Sequence, residues 1–289
     1  MHVLVTGWPS FLHGEATAGD VLSMRRVVAA LTEAGIACDV AWSPGFRPGE
    51  LHLDDADPGR YSHLVFACGP AHGEQVRGLH ERFPACTRIA VGVSVIDEHD
   101  PAVTGFHRVL ARDGAGQQRQ DLAASAETSR VPVVAVILAP GQHEYGTRRR
   151  HEQVHKTLQE WLVRQDCARV PLDTRLDTSD WRHCATGDQF VSALARFDVV
   201  VTTRLHGLVL AVRTGVPALA VDPIAGGGKV TAQARALGWP ALLPAEDLGD
   251  EALGHWWRWC LSEHARAHAT AAHDPGSSLV DALLDEVRA

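Results

Sequence analysis

Residues 198–222 read DVVVTTRLHGLVLAVRTGVPALAVD, and they decide the fold. An apolar β-branched run, 198–203, stops at a polar turn. An apolar helical pattern, 205–214, follows it, and a second short apolar run, 217–222, closes the unit. Strand, helix and strand in this order make a parallel pair buried on both faces. Arg204 and His206 stand where the first strand runs out, separated by Leu205, which is expected to anchor the turn in the core. An arginine there can fork onto a carboxylate or phosphate, and a histidine can move a proton near neutral pH. The bland alternative pairs Arg204 with a structural acid and makes His206 a helix cap.

The same alternation runs outward in both directions. Strands are predicted at 2–6, 37–42, 63–68, 88–95, 107–112, 131–138, 168–172, 198–203 and 217–222. Helices are predicted at 20–34, 73–83, 149–164, 187–196, 205–214 and 229–237, with a helical tail over 250–270 and 277–288. In 20–34, Val21, Met24, Val27, Val28 and Leu31 fall on one face. The stretch 113–130 loses apolar content and reads as a short helix and crossover. The chain has 289 residues, 45% hydrophobic and 21% charged, enough for two domains. The expected fold class is therefore α/β, with two Rossmann-like domains built on parallel sheets, 1–125 and 126–289.

A net charge of −8 argues against nucleic acid as a partner. Neither an export signal nor an apolar run long enough for a membrane span is visible, which predicts a cytoplasmic protein. The six cysteines are scattered without a CxxC pair and read as buried or free thiols.

Ligands of parallel α/β sheets bind beyond the carboxyl ends of the strands, which directs attention to three loops. The first is the TTRLHG turn with Thr203, Arg204, Leu205, His206 and Gly207. The second, DPIAGGGK at 222–229, offers Gly226, Gly227, Gly228 and Lys229 as a phosphate cradle, although it matches neither the Walker pattern nor GxGxxG. The third is the long loop 7–20, whose titratable groups are His13, Glu15 and Asp20; the last could simply be a helix N-cap. HEQVH, 151–155, matches the HExxH zinc pattern. Its flanks, RRR and KTLQEW, look like a charged surface helix, so no metal and no cofactor are expected. The tryptophans of HWWRWC, 255–260, are expected to pack the tail against the domain.

With those residues in view, the sequence resembles the polysaccharide pyruvyl transferase family. The resemblance is carried by TTRLHGLVLAVRTGVPALAVD, 202–222, by Lys229-Val230, by TAGDVLSM, 17–24, and more loosely by VLARD, 109–113, and VPLD, 170–173. It implies a GT-B-like arrangement of two domains around a cleft, the N-terminal one on the acceptor side and the C-terminal one binding the donor. It also implies transfer of the carbon skeleton of phosphoenolpyruvate to a hydroxylated acceptor such as a sugar. On that reading His206 and Arg204 are catalytic, Lys229 completes the anion clamp, and His13, Glu15 and Asp20 serve the acceptor. One departure is clear: Leu138 and Ala139 stand where the family commonly has an arginine, and Arg148 and Arg175 are the candidates to replace it. The alternatives are a glycosyltransferase or sugar epimerase using a nucleotide-sugar, and a non-catalytic anion-binding relative.

One expectation is testable at once. Protein purified without chelator should carry no stoichiometric zinc by metal analysis, and a tightly held equivalent at His151 and His155 would overturn that reading.

Overall fold

The computed structural model describes residues 1–114, 116–272 and 278–289. They form two compact units, Met1–Ser129 and Arg130–Ala289.

Unit 1 contains β1 (His2–Thr6), α1 (Ala18–Glu33), β2 (Ala37–Val40), β3 (His63–Ala67), α2 (Glu74–Arg82), β4 (Thr87–Ser94), α3 (Pro101–Thr104), β5 (Arg108–Gly114) and β6 (Gln117–Gln118). The sheet order is β2-β1-β3-β4-β5-β6, parallel throughout except for the short antiparallel β6. Alternation along the strands feeds two cores. Leu4, Leu64 and Phe66 face one, while Val3, Val5, Val65 and Met24 of α1 form the other. Val21, Val27, Val28 and Leu31 pack against that second core, as their spacing predicts. The helix starts two residues earlier than its apolar pattern because Thr17 caps it, its hydroxyl accepting from the Asp20 amide at 3.2 Å. Asp20 is thus not the cap; its carboxylate accepts from the Thr17 hydroxyl at 2.6 Å.

Unit 2 contains β7 (Val133–Ile137), α4 (His151–Leu162), β8 (Ala168–Pro171), α5 (Gly187–Leu194), β9 (Val199–Thr202), α6 (Leu205–Arg213), β10 (Ala218–Asp222), α7 (Lys229–Ala236), β11 (Leu242–Pro244), α8 (Asp250–Cys260), α9 (Glu263–Ala271) and α10 (Ser278–Arg288). Its sheet is all parallel, in the order β11-β10-β9-β7-β8. The central strand β9 is buried along its whole length, and Phe190, Leu194, Leu208 and Leu219 fill the layers around it. Both units are therefore Rossmann-like α/β, and no described helix is long and apolar enough to cross a membrane.

Several expected elements differ. The 113–130 stretch holds the end of β5, the two-residue β6 and a 3-10 turn at Leu122–Ser125, with residue 115 outside the described residues. The tail breaks into α8 and α9, where the Ser262 hydroxyl accepts from the Ala265 amide and caps the second helix. Of the expected helix 277–288, residue 277 lies outside the described residues. Trp257 packs edge-on against Trp161 of α4 at 5.6 Å, and Trp259 against Trp239 at 5.2 Å, so this cluster does hold the tail to the unit. All six cysteines are free thiols, and Cys68, Cys86, Cys167 and Cys260 are buried.

HEQVH is not a charged surface helix on its inner side. α4 buries His151, Val154, Leu158, Trp161 and Leu162, and the two histidine rings stand 6.0 Å apart. Neither ring nitrogen of His151 has a hydrogen-bond partner among the described residues. Burial pushes the pKa of both histidines below the ordinary 6.5, and for His155 the neighbouring His151 adds to it. The folded state therefore favours the neutral rings, and the unfolded chain takes up protons first as pH falls. Stability on this account is complete above about pH 6.5 and declines as the solution is acidified through the lower folded-state values. Urea midpoints measured between pH 7 and pH 5 should fall, and the double variant His151→Leu, His155→Gln should flatten that slope. His80 of unit 1, likewise lowered by burial, leaves a residual slope in the variant. An unchanged slope would mean that the α4 histidines titrate normally.

Candidate active site

Right-handed crossovers decide where unit 2 can hold a ligand. The chain moves from β7 outward to β8 in one direction, then from β8 past β7 to β9 and on to β10 in the other. The connections consequently lie on opposite faces of the sheet, and the loops leaving β7 and β9 part from each other. A pocket of about 270 Å³ sits at that parting. Its walls are Ala139 to Gln142 after β7, with Glu144; Arg204, Leu205 and His206 after β9; and Lys229 at the start of α7. The TTRLHG turn and the end of the glycine-rich loop thus share one pocket.

Two threonine hydroxyls, outside the pocket's lining, tie together the strand ends that carry it. Thr203 Oγ1 accepts from the Ala139 amide at 2.7 Å, which joins the two diverging loops, and stands 3.3 Å from His155 Nε2. Thr202 Oγ1 donates to the Ile137 carbonyl at 3.0 Å and accepts from the Arg204 amide at 2.9 Å. Gly207 packs so closely on Thr202 that a Cβ there would collide with the threonine hydroxyl. That contact lets α6 begin directly on the strand end. The amides of Leu205, His206 and Gly207 belong to its first turn, which has no intrahelical acceptors for them.

Arg204 is half-buried; its Nη1 lies 3.0 Å from Asp173 Oδ1 and also donates to the Thr174 hydroxyl. Lys229 Nζ lies 3.8 Å from Glu144 Oε1 and is more exposed. His206 is exposed, and among the described residues its ring has no hydrogen-bond partner, so it is not a helix cap. Leu205 does not enter the core; it is half-buried and lines the pocket, while Gly207 and Leu208 begin the buried face of α6.

The glycine-rich loop works differently from a phosphate cradle. Asp222 is fully buried and accepts from the amides of Ile224 (3.1 Å), Gly228 (2.7 Å) and Thr231 (2.8 Å), and from the Thr231 hydroxyl (2.7 Å). The Gly226 amide donates to Glu246 and the Gly227 amide to the Ile224 carbonyl, both at 2.8 Å. The loop's amides are thus engaged within the fold, and what it presents to the pocket is Lys229.

The two arginines proposed as replacements do not line this pocket. Arg148 stands over the Tyr145 ring at 5.4 Å, and Arg175 lines a separate cavity together with Leu138. Among the described residues no group of three or more His, Cys, Asp or Glu side chains is placed to hold a metal ion.

In unit 1 the corresponding parting lies between β1 and β3. The chain fills it with its own side chain: Trp8 lies against Gly69, where a Cβ would strike the indole, and Trp8 Nε1 donates to the Pro70 carbonyl at 3.2 Å. His13 and Glu15 are exposed on the same loop, and Asp20 is held by Thr17. Asp173, Asp222, Glu144 and His155 were not singled out for the site by sequence. A buried aspartate closing an apolar strand before a glycine run was the signal available for Asp222.

Comparison with known proteins adds one family match. Residues 185–223, from the approach to α5 to the end of β10, match the family described as polysaccharide pyruvyl transferase. The resemblance drawn from 202–222 falls inside that segment. No curated protein matches the chain. Among solved structures, the spinosyn rhamnosyltransferase SpnG complexed with thymidine diphosphate is 13% identical, with 94% of this chain and 95% of that one covered at a TM-score of 0.33. The E. coli heptosyltransferase WaaC with ADP is 14% identical over 92% and 100% of the two chains, with a TM-score of 0.29. A putative UDP-N-acetylglucosamine 2-epimerase from Listeria monocytogenes is 12% identical over 95% and 91%, with a TM-score of 0.30. Scores at this level leave the fold to be read from the chain's own topology, and the similarity to the pyruvyl transferase family is confined to the 185–223 segment.

Proposed function

We propose that the protein is a carbohydrate-modifying transferase of the pyruvyl transferase kind, using phosphoenolpyruvate as donor. The observation that carries this reading is the convergence of Arg204, His206 and Lys229 in one small pocket at the parting of β7 and β9. At about 270 Å³ the pocket falls below the roughly 300–1,000 Å³ typical of drug-sized ligands, which suits a compact anion better than a nucleotide-sugar. The engagement of the glycine loop's amides by Asp222 and Glu246 also disfavours a diphosphate there.

The chemistry asks for three things. A proton goes to the methylene carbon of phosphoenolpyruvate, leaving its central carbon electron-poor. An acceptor hydroxyl then adds to that carbon and gives up its proton. A second hydroxyl replaces the phosphate, which departs with the electrons of its C–O bond and takes up that hydroxyl's proton, and the ketal forms. In this reading His206 delivers the first proton, since its ring has no partner within the fold. Arg204 grips the carboxylate or phosphate through two N–H groups, and Lys229 adds a point charge. Thr203 and Gly207 shape the turn rather than touch the reacting atoms. His13, Glu15 and Asp20 of unit 1 carry the acceptor-side role.

The roles separate experimentally. Arg204→Ala should weaken phosphoenolpyruvate binding by roughly 10–100-fold in calorimetric titration, the worth of a charge-assisted hydrogen bond pair. Lys229→Ala should weaken it less, because its charge is more exposed. His206→Asn should leave binding nearly intact and slow phosphate release in the presence of a panel of sugars by about 10²–10⁴-fold. Normal turnover by His206→Asn would remove the histidine from the chemistry.

A further inference from the structure

A second cavity of unit 2 is larger than the pocket at the parting of β7 and β9. It encloses about 680 Å³ beside the edge strand β8 and is lined by β7, β8, the end of α4 and the loop that follows β8. Val136 pairs with Pro171 across β7 and β8, two residues on from the Val134–Arg169 pair, so Val136, Arg169 and Pro171 stand on one face of the sheet corner, and Leu138, just past β7, lines the same cavity. Leu162 closes one wall from α4 and Leu172 another from the loop. The volume lies well within the range of small-molecule sites; its apolar wall is aliphatic, with no Trp, Tyr or Phe, and Gln159, Asp173, Asp180, His183 and three arginines complete the lining.

Charge narrows the occupant. Of the three arginines at the rim, Arg182 is held by both oxygens of Asp180, and Arg175 by Asp177 at 3.9 Å and His183 at 3.0 Å. Arg169 donates one N–H to the Leu162 carbonyl at 3.0 Å and has no carboxylate partner among the described residues. Its remaining N–H groups are available at the rim of an aliphatic hollow. The geometry points to a binding site for a small amphipathic anion, whose apolar body lies against Leu138, Leu162 and Leu172 and whose carboxylate, sulfate or phosphate meets Arg169. Asp173 lines this cavity and also holds Arg204, so the site abuts the anion pocket without sharing its lining cations. The inference does not depend on the donor or on catalysis.

The test is calorimetric titration of the whole chain with octanoate, octanol and octyltrimethylammonium, each below its aggregation concentration. Octanoate should bind once per chain, more tightly than octanol, and the cation should be the weakest. Arg169→Gln should weaken octanoate about tenfold and leave octanol unchanged. Leu172→Asp should weaken octanoate and octanol together, with Leu172→Ser as the milder variant should the aspartate lower the thermal unfolding midpoint. Equal binding of anion and cation, or no response to either substitution, would overturn the proposal. So would sedimentation showing a dimer that Leu172→Asp dissolves, since the hollow would then be covered by a second copy of the chain.

Discussion

The handedness of parallel crossovers governs this molecule's chemistry. Once β8 and β9 are placed on opposite sides of β7, the chain must leave β7 and β9 toward opposite faces, and a crevice opens whatever the side chains are. Sequence then decides what becomes of that crevice. In unit 2, Thr202 and Thr203 hold the diverging ends at hydrogen-bonding distance, and small residues, Ala139 and Gly141, leave the space empty. In unit 1 the same topology gives the same parting, but Trp8 lies across it on Gly69. One fold rule thus yields a pocket lined by Arg204, His206 and Lys229 in one unit and a filled seam in the other.

A buried carboxylate sets the shape of the pocket's third wall. Asp222 is removed from water at the end of a strand that is buried along its length, where an unpaired charge would be strongly unfavourable. Three amides and a hydroxyl compensate it, and those four donors fix the course of the glycine run and the first turn of α7. The glycines are there so that the backbone can fold back onto Asp222, with left-handed turns at Gly226 and Gly227. Lys229 reaches the pocket because the loop beneath it is locked.

The sequence made the strands and the helices legible, because burial on both faces leaves uninterrupted apolar runs such as VVVT in β9 and a 3.6-residue period such as that of α1. Its limits are equally physical. β11 is three residues long and carries Pro244, too little pattern to register. α4 looked exposed because the flanks of HEQVH, RRR before it and KTLQEW after it, are charged and polar, yet His151, Val154 and Leu158 are buried and His155 reaches Thr203. At the site, the residues next to one another in sequence, Arg204, Leu205 and His206, were legible as a turn. Their partners were not: Asp173 lies 31 positions before Arg204, and His155 of α4 meets Thr203 just past the end of β9. Hydrogen bonds over such separations leave no periodicity to read.

Those partners offset the positive charge gathered at the pocket. Two positive groups facing one small space repel each other, and each has a carboxylate within reach: Asp173 for Arg204 and Glu144 for Lys229. Both pairs are partly exposed, where such contacts are worth only about 0–1 kcal/mol. A ligand that brings a carboxylate and a phosphate into the pocket offers each cation a new partner at little cost from the old one. Asp173 and Thr174 both engage the Arg204 guanidinium, so its fork is already oriented when an anion arrives. Arg204 gains more from this than Lys229, because its partners Asp173 and Thr174 hold a half-buried planar group at fixed angle, whereas Lys229 swings on a flexible stem 3.8 Å from its acid. The pocket thus holds its arginine, on the side of β9, through two close contacts, and its lysine, on the side of α7, through one longer ion pair.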